Sequence, residues 1–433
     1  MSQDRRTIVF FPEGAFGPTN NCVGIGNVLR ARGHRVVFVV EESFAGTLEA
    51  RGFEEARMRL TPPPEVEEEP GQFWKDFIRD TAPEFRKPTI EQLETFLKPT
   101  WQALIDGSIY AHERLCEIFD ELGPDAIVED NVVAFGAIPA SGRPWARIMS
   151  CNPLEMKDPA LPPVFSGHPT GNRDGWEEFW REYDRVLGPQ IAEFDVWLRD
   201  HGAPGLPGQR DYIWESPYLN LFVYPEEADY PRSSPLGPTW HRLDASVRST
   251  GETYDAHAAL GDEGALVYLS LGSLASADVE LMRRLVDVLS RTPHRFIVSK
   301  GPQAELYELA DNMVGAEFLP QPAILPRVDL VITHGGNNTV TESWYFGKPM
   351  VVLPVFWDQY DNAQRVDELG LGVRLPTYAF EEDELASAID RLLADETLEQ
   401  RLRRMSTRLQ ANPGTVRAAD LIERLARTGE PVL

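Results

Sequence analysis

The stretch His334-Gly335-Gly336-Asn337-Asn338-Thr339-Val340-Thr341-Glu342 concentrates more chemistry than any other part of this 433-residue chain. Glycine lets a ligand come close to the backbone. Asn338 and Thr339 add side-chain donors, His334 adds an imidazole, and Glu342 adds a carboxylate that can accept from hydroxyls. A phosphate group suits that combination. Pro354 and the carboxylate–carboxamide pair Asp358-Gln359 follow shortly after.

The elements around these residues give the turn its purpose. Residues 328–333 form a short apolar run that reads as a buried strand, and Asn337 to Phe346 reads as a helix. His334 and its two glycines therefore sit where a parallel strand hands over to a helix. Unpaired N–H groups and the positive end of the helix dipole attract anions there. The turn Ser270-Leu271-Gly272-Ser273 repeats this logic, so Ser273 either donates to a phosphate or caps its own helix.

The same alternation organises the rest of the chain. Thr7–Phe11 is a short apolar strand, followed by a Pro/Gly loop and a helix that ends near Arg32-Gly33-His34. Arg35–Val40 is a strand apolar enough to be buried on both faces. This β-loop-α-β opening predicts a doubly wound sheet, and residues 124–130, 146–150 and 219–223 supply further strands. Residues 225–251 are rich in Pro, Ser, Gly and charge, as expected of a linker. The pattern then restarts with a strand at 265–270, a helix from about Val279 and a strand at 295–299. The expected division is 1–224, a linker at 225–251, 252–412, and a closing amphipathic helix within 413–433.

Composition narrows the function classes. The net charge of −26 argues against binding nucleic acid or an anionic membrane, both of which need a basic face. It also means that a bound diphosphate must be met by local dipoles. Cys22, Cys116 and Cys151 are too widely spaced for a disulfide framework or a zinc site. Reduced thiols and an opening apolar run too short for a signal peptide or membrane span predict a cytoplasmic protein.

The constellation Phe318-Leu319-Pro320-Gln321, His334–Glu342, Asp358-Gln359 and Asn362 resembles the donor signature of the family 1 nucleotide-sugar glycosyltransferases. In plant members the central block reads His-Cys-Gly-Trp-Asn-Ser-x-x-Glu, with the same spacing. The resemblance implies α/β architecture of the GT-B type, two Rossmann-like doubly wound domains facing across a cleft. It implies that His334, Gly336, Asn337, Asn338 and Thr339, helped by Ser273, surround the diphosphate. Glu342 would hold the ribose, Asp358 and Gln359 the sugar, and Phe318, with Gln321 beside it, would stack on the base. The co-substrate would be a UDP- or dTDP-sugar, UDP-glucose foremost, with no metal and no further cofactor. The closing helix would cross back onto the first domain.

One departure stands out. Family members carry a histidine in the first βα loop, commonly as Gly-His-x-x-Pro, which deprotonates the acceptor. Counting back from Arg32-Gly33-His34, the equivalent here is Gly17-Pro18-Thr19-Asn20-Asn21, and proline cannot accept a proton. His34 lies about 24 Å further along the helix at 1.5 Å per residue, and suits a role at its C-terminal end. Asp130 matches the aspartate that partners the missing histidine. Asp130, directly or through water, or Glu13 in the same loop as Pro18, can serve as base once burial raises its pKa. An acceptor nucleophilic enough to need no strong base is the third option.

The resemblance implies an inverting transfer of a hexose to a small organic acceptor. Phe73, Trp74, Phe77, Phe165 and Trp176 are expected to line an apolar acceptor pocket drawn from residues 62–101 and 154–180. Two other readings stay open: a GT-B epimerase that hydrolyses its nucleotide sugar, and a protein that keeps the donor site without catalysis.

Overall fold

The structure is a computed structural model, and it describes residues 5–63, 81–255 and 260–433. Phe73, Trp74 and Phe77 lie outside the described residues.

The chain forms two wholly parallel sheets. The first takes β1 (Thr7–Pro12), β2 (Arg35–Glu41), β3 (Glu54–Met58), β4 (Ala126–Asp130), β5 (Trp145–Met149), β6 (Leu219–Phe222) and β7 (Trp240–Arg242) in the order β3-β2-β1-β4-β5-β6-β7. The second takes β8 (Leu266–Ser270), β9 (Arg295–Ser299), β10 (Met313–Ala316), β11 (Leu330–Thr333), β12 (Met350–Val352) and β13 (Gly372–Arg374) in the order β10-β9-β8-β11-β12-β13. Both are Rossmann-like and doubly wound, as expected of GT-B.

The apolar runs form strands because both faces of each sheet are covered. Ile8, Phe10, Val36, Phe38, Val128, Ile148 and Leu221 pack on one side of the first sheet. Val9, Phe11, Val37, Val39, Ile127 and Met149 pack on the other. That is the period-two alternation of a strand with two apolar faces. The helix Gly414–Thr428 supplies Ala418, Ala419, Ile422 and Leu425 to the first of these layers and ties to the helix Phe16–Ala31 through Arg32 with Asp420 and Glu423.

One element differs from its sequence-based reading. Trp240–Arg242, within the stretch expected to be linker, pairs with β6. A three-residue edge strand among prolines carries too short an apolar pattern to be read. His34 closes the end of its helix through the backbone, its N–H donating to the Leu29 carbonyl at 3.2 Å. Its Nδ1 accepts from the Arg6 N–H at 3.2 Å and its Nε2 lies 3.4 Å from Glu423.

In each sheet the strand order reverses at one place, between β1 and β4 and between β8 and β11. Crevices at the carboxyl ends of such reversals are where doubly wound sheets bind ligands.

Candidate functional site

Register explains the donor motif. Thr333 at the end of β11 lies beside Ser270 at the end of β8, so the turns leaving the two strands touch. A Cβ on Gly272 would come within 2.8 Å of the His334 ring, and one on Gly336 within 2.6 Å of its Nε2. Gly272 also has φ +71°, which favours glycine. The glycines thus make room for the imidazole. Burial pushes the His334 pKa down to about 4, against a hydrogen bond with the Ser270 backbone. At neutral pH His334 is uncharged and presents one N–H donor.

The helix Asn337–Tyr345 starts from Gly336 with no side-chain cap, so its first N–H groups are not claimed by a capping side chain. Ser273 sits half-buried in the short helix Gly272–Ala275 next door. Glu342 is buried. Gln321 Nε2 donates to its Oε2 at 2.6 Å, and an Arg248 nitrogen lies 3.7 Å from its Oε1. Burial raises the Glu342 pKa, and Arg248 and Gln321 oppose that shift. Thr339 adjoins the same group, 3.4 Å from Gln321 Nε2. Phe318, 51% exposed, stands at the edge of this cluster in sequence. Six of the expected donor residues, Ser273, Gln321, His334, Gly336, Thr339 and Glu342, thus fall around one strand-to-helix turn.

Of the remaining residues of the motif, Asn337, Asn338 and Asp358 reach the first domain, and Gln359 does not. Asn337 Nδ2 donates to the Val223 carbonyl at 2.9 Å. Asn338 Nδ2 donates to the Gly17 carbonyl at 2.8 Å, and its Oδ1 accepts from Asn21 at 3.0 Å. Asp358 is buried and accepts from the Asn152 N–H at 2.8 Å. Gln359 turns its carbonyl oxygen inward to the N–H groups of Val355 and Phe356.

The carboxyl ends of β1 and β4 bring the two candidate bases together. Pro12 is in register with Asp130, and the Glu13 N–H donates to the Asp130 carbonyl at 3.0 Å. Asp130 is 3% exposed, and its Oδ1 accepts from the Ser150 hydroxyl at 2.7 Å. Asn21 lies close enough to lower its pKa, although Oδ2 has no partner with good hydrogen-bond geometry. Burial still dominates and raises Asp130 to about 7. Glu13 is raised to about 7 by burial and then by the charge of Asp130. Pro18 occupies the first turn of the helix Phe16–Ala31, where a missing N–H is tolerated. Asn21, one turn on, faces Asp130.

Of the two described aromatics expected in an acceptor pocket, Phe165 is buried 5.2 Å from the Trp357 ring. Trp176 is 6% exposed beneath the Arg173 guanidinium, a core position. Among the described residues, no group of three His, Cys, Asp or Glu side chains is placed to hold a metal, and no helix is long and apolar enough to cross a membrane.

Residues 248–416, which contain the whole donor motif, match the family model UDP-glucoronosyl and UDP-glucosyl transferase. Over these residues the chain is similar to the family 1 UDP-glycosyltransferases. It is similar to the oleandomycin glycosyltransferase of Streptomyces antibioticus, at 27% identity over 96% of this chain and 90% of that one. Its fold matches the glycotransferase of kitacinnamycin with a TM-score of 0.68, at 23% identity over 97% and 98% of the two chains. It also matches a spinosyn rhamnosyltransferase complexed with thymidine diphosphate, with a TM-score of 0.61, at 19% identity over 97% and 99%. The chain is a glycosyltransferase that uses a nucleotide-sugar donor.

Four residues of this glycosyltransferase's candidate site escaped the sequence reading. Asn21 links Asp130 to Asn338, Ser150 donates to Asp130, Arg248 faces Glu342, and Asn152 holds Asp358. Asn21 alone carried a signal, being a carboxamide one helical turn beyond Pro18, where a side chain shares its face.

The buried carboxyls set a pH dependence for folding of this glycosyltransferase. Glu13, Asp130 and Asp358 are raised to about 7 and Glu129 to about 8, in each case chiefly by burial. Between pH 4.5 and 8 these groups hold more protons folded than unfolded, so their contribution to stability declines as pH rises. Histidines with lowered pKa, His334 foremost, act in the opposite sense, but only below about pH 6.5. Calorimetry should therefore give a lower Tm at pH 8.5 than at pH 6.5, and Glu129→Gln should narrow the gap. An unchanged gap would mean that Glu129 is not a buried acid.

Proposed function

We propose that this enzyme transfers a hexose, glucose foremost, from a UDP- or TDP-sugar to a hydroxyl of a small, largely apolar organic acceptor, with inversion at the anomeric carbon. The observation that carries the reading is the Asn21–Asn338 hydrogen bond, which brings the His334–Glu342 motif up against the Asp130–Glu13 carboxyls. The relatives point the same way, since oleandomycin names one and thymidine diphosphate occupies another.

In this mechanism the acceptor oxygen attacks the anomeric carbon as its proton passes to Asp130. The bond from that carbon to the diphosphate oxygen breaks on the opposite face. His334, Asn338, Thr339 and the first N–H groups of the helix Asn337–Tyr345 receive the charge that develops on the leaving group. Asp358 and Gln359 orient the sugar, and Glu342 meets the ribose with Arg248 beside it. Burial keeps the Asp130 pKa near neutrality, where a base both ionises and accepts protons effectively.

The test is incubation of the purified protein with UDP- and TDP-glucose and a panel of macrolide and polycyclic acceptors, with the glycoside read by mass spectrometry and its anomeric configuration by NMR. Free glucose or a C2 epimer as the sole product would favour the epimerase reading, and no turnover of any donor would favour a binding protein. Because dipoles and His334 meet the diphosphate here, turnover is expected to persist in EDTA. Loss in EDTA with recovery on magnesium or manganese would overturn that part of the reading.

A further inference from the structure

Phe356 and Trp357 precede the Asp358-Gln359 pair, yet their rings leave the second sheet and enter the first domain. The Phe356 ring lies 5.0 Å from Phe85 and 5.2 Å from Phe96. Trp357 lies 4.9 Å from Trp101 and 5.2 Å from Phe165, and Trp101 lies flat on Tyr212 at 3.9 Å. Residues 81–101 and 165 thus converge on a loop of the donor half. That loop is held at both ends. Gln359 accepts from the Val355 and Phe356 N–H groups, and Asp361 accepts from the Phe165 and Gly167 N–H groups.

Two observations bear on Trp357. Its φ is +60°, an outlier for a bulky residue that the adjoining Phe165 shares at +69° and that strained functional sites retain. Glycine would suit that backbone better, so the indole is what the position keeps. In addition, Phe85, Phe96, Trp101, Phe165, Tyr212 and Phe356 are all buried, whereas Trp357 remains half-exposed. Trp357 directly precedes the Asp358-Gln359 pair to which the proposed function assigns the sugar.

We infer that Trp357 is a wall of the acceptor site supplied by the donor-binding half, and that it selects acceptors with a flat apolar face. This rests on the glycosyl-transfer reading above. Its consequence is that acceptor choice is set partly outside the first domain, on the loop that also carries the sugar-orienting pair.

Trp357→Gly relieves the backbone and removes the wall, while Trp357→Phe keeps a smaller aromatic face. With flat polycyclic acceptors the KM of Trp357→Gly should rise by roughly 10–100-fold, the equivalent of losing one well-buried aromatic contact. With a compact non-planar acceptor it should change much less, so the acceptor ranking alters, and Trp357→Phe should recover part of the loss. Affinity for UDP or TDP in calorimetry should stay within about twofold, because no diphosphate contact is touched. An acceptor ranking and KM unchanged in an active Trp357→Gly would overturn the inference while leaving the transfer reading intact. A uniform fall in kcat with all acceptors, accompanied by lower Tm and weaker nucleotide binding, would likewise overturn it and make Trp357 a packing residue. A wild-type enzyme that glycosylates no acceptor would remove the transfer reading itself, and this inference with it.

Discussion

Asp130→Asn is expected to lower kcat/KM by roughly 10²–10⁴, the usual contribution of general-base catalysis, with donor affinity nearly unchanged. The substitution keeps the side chain's size, and an amide oxygen can still accept from the Ser150 hydroxyl that now donates to Asp130. What disappears is the proton acceptor. The fold should tolerate the change, because the native carboxyl is already costly to ionise, with its pKa raised to about 7. In the native enzyme the base must be ionised, so kcat/KM should climb as pH rises through about 7, and the variant should lose that step. A nitrophenol acceptor, which arrives deprotonated, should suffer much less from the substitution. Glu13→Gln is the matched control, since Glu13 lies beside Asp130 and is raised to about 7 as well. If Glu13→Gln abolishes turnover while Asp130→Asn leaves it near normal, the two roles exchange. If neither matters with any acceptor, the chemistry needs no protein base of this kind.

His334→Ala should weaken donor binding and turnover together, by about 1.5–3 kcal/mol, the range for a hydrogen bond to a charged group. The loss should fall on nucleotide affinity and kcat/KM alike, because a phosphate contact exists before and during bond breaking. With the His334 pKa near 4, this contribution should be constant from pH 6 to 8. Calorimetry with UDP or TDP reads both points. Unchanged affinity would place His334 away from the diphosphate. A pH-dependent loss centred near 6.5 would show instead that the imidazole acts in its charged form.

Sequence alone determined what is local. The apolar runs of β1, β2, β4, β5, β8, β9 and β11 announced a doubly wound protein because buried parallel strands must be apolar on both faces. The His334-Gly335-Gly336 segment was legible as a strand-to-helix turn because one strand end and one helix start lie a few residues apart. The absence of a base at Pro18 was legible too, since it depends only on residue type. Only the tertiary structure decided which groups answer one another across the two sheets. Asn21 and Asn338 are 317 residues apart, and nothing in either neighbourhood encodes their meeting. The same holds for Arg248 at Glu342, for Asn152 at Asp358, and for the aromatic nest around Phe356 and Trp357. The apolar residues of that nest read as generic core in sequence, because a hydrophobic side chain records that it is buried but not against what. Directional contacts between polar side chains exist only once two rigid sheets have docked in one orientation, and that orientation is a property of the whole surface rather than of any motif.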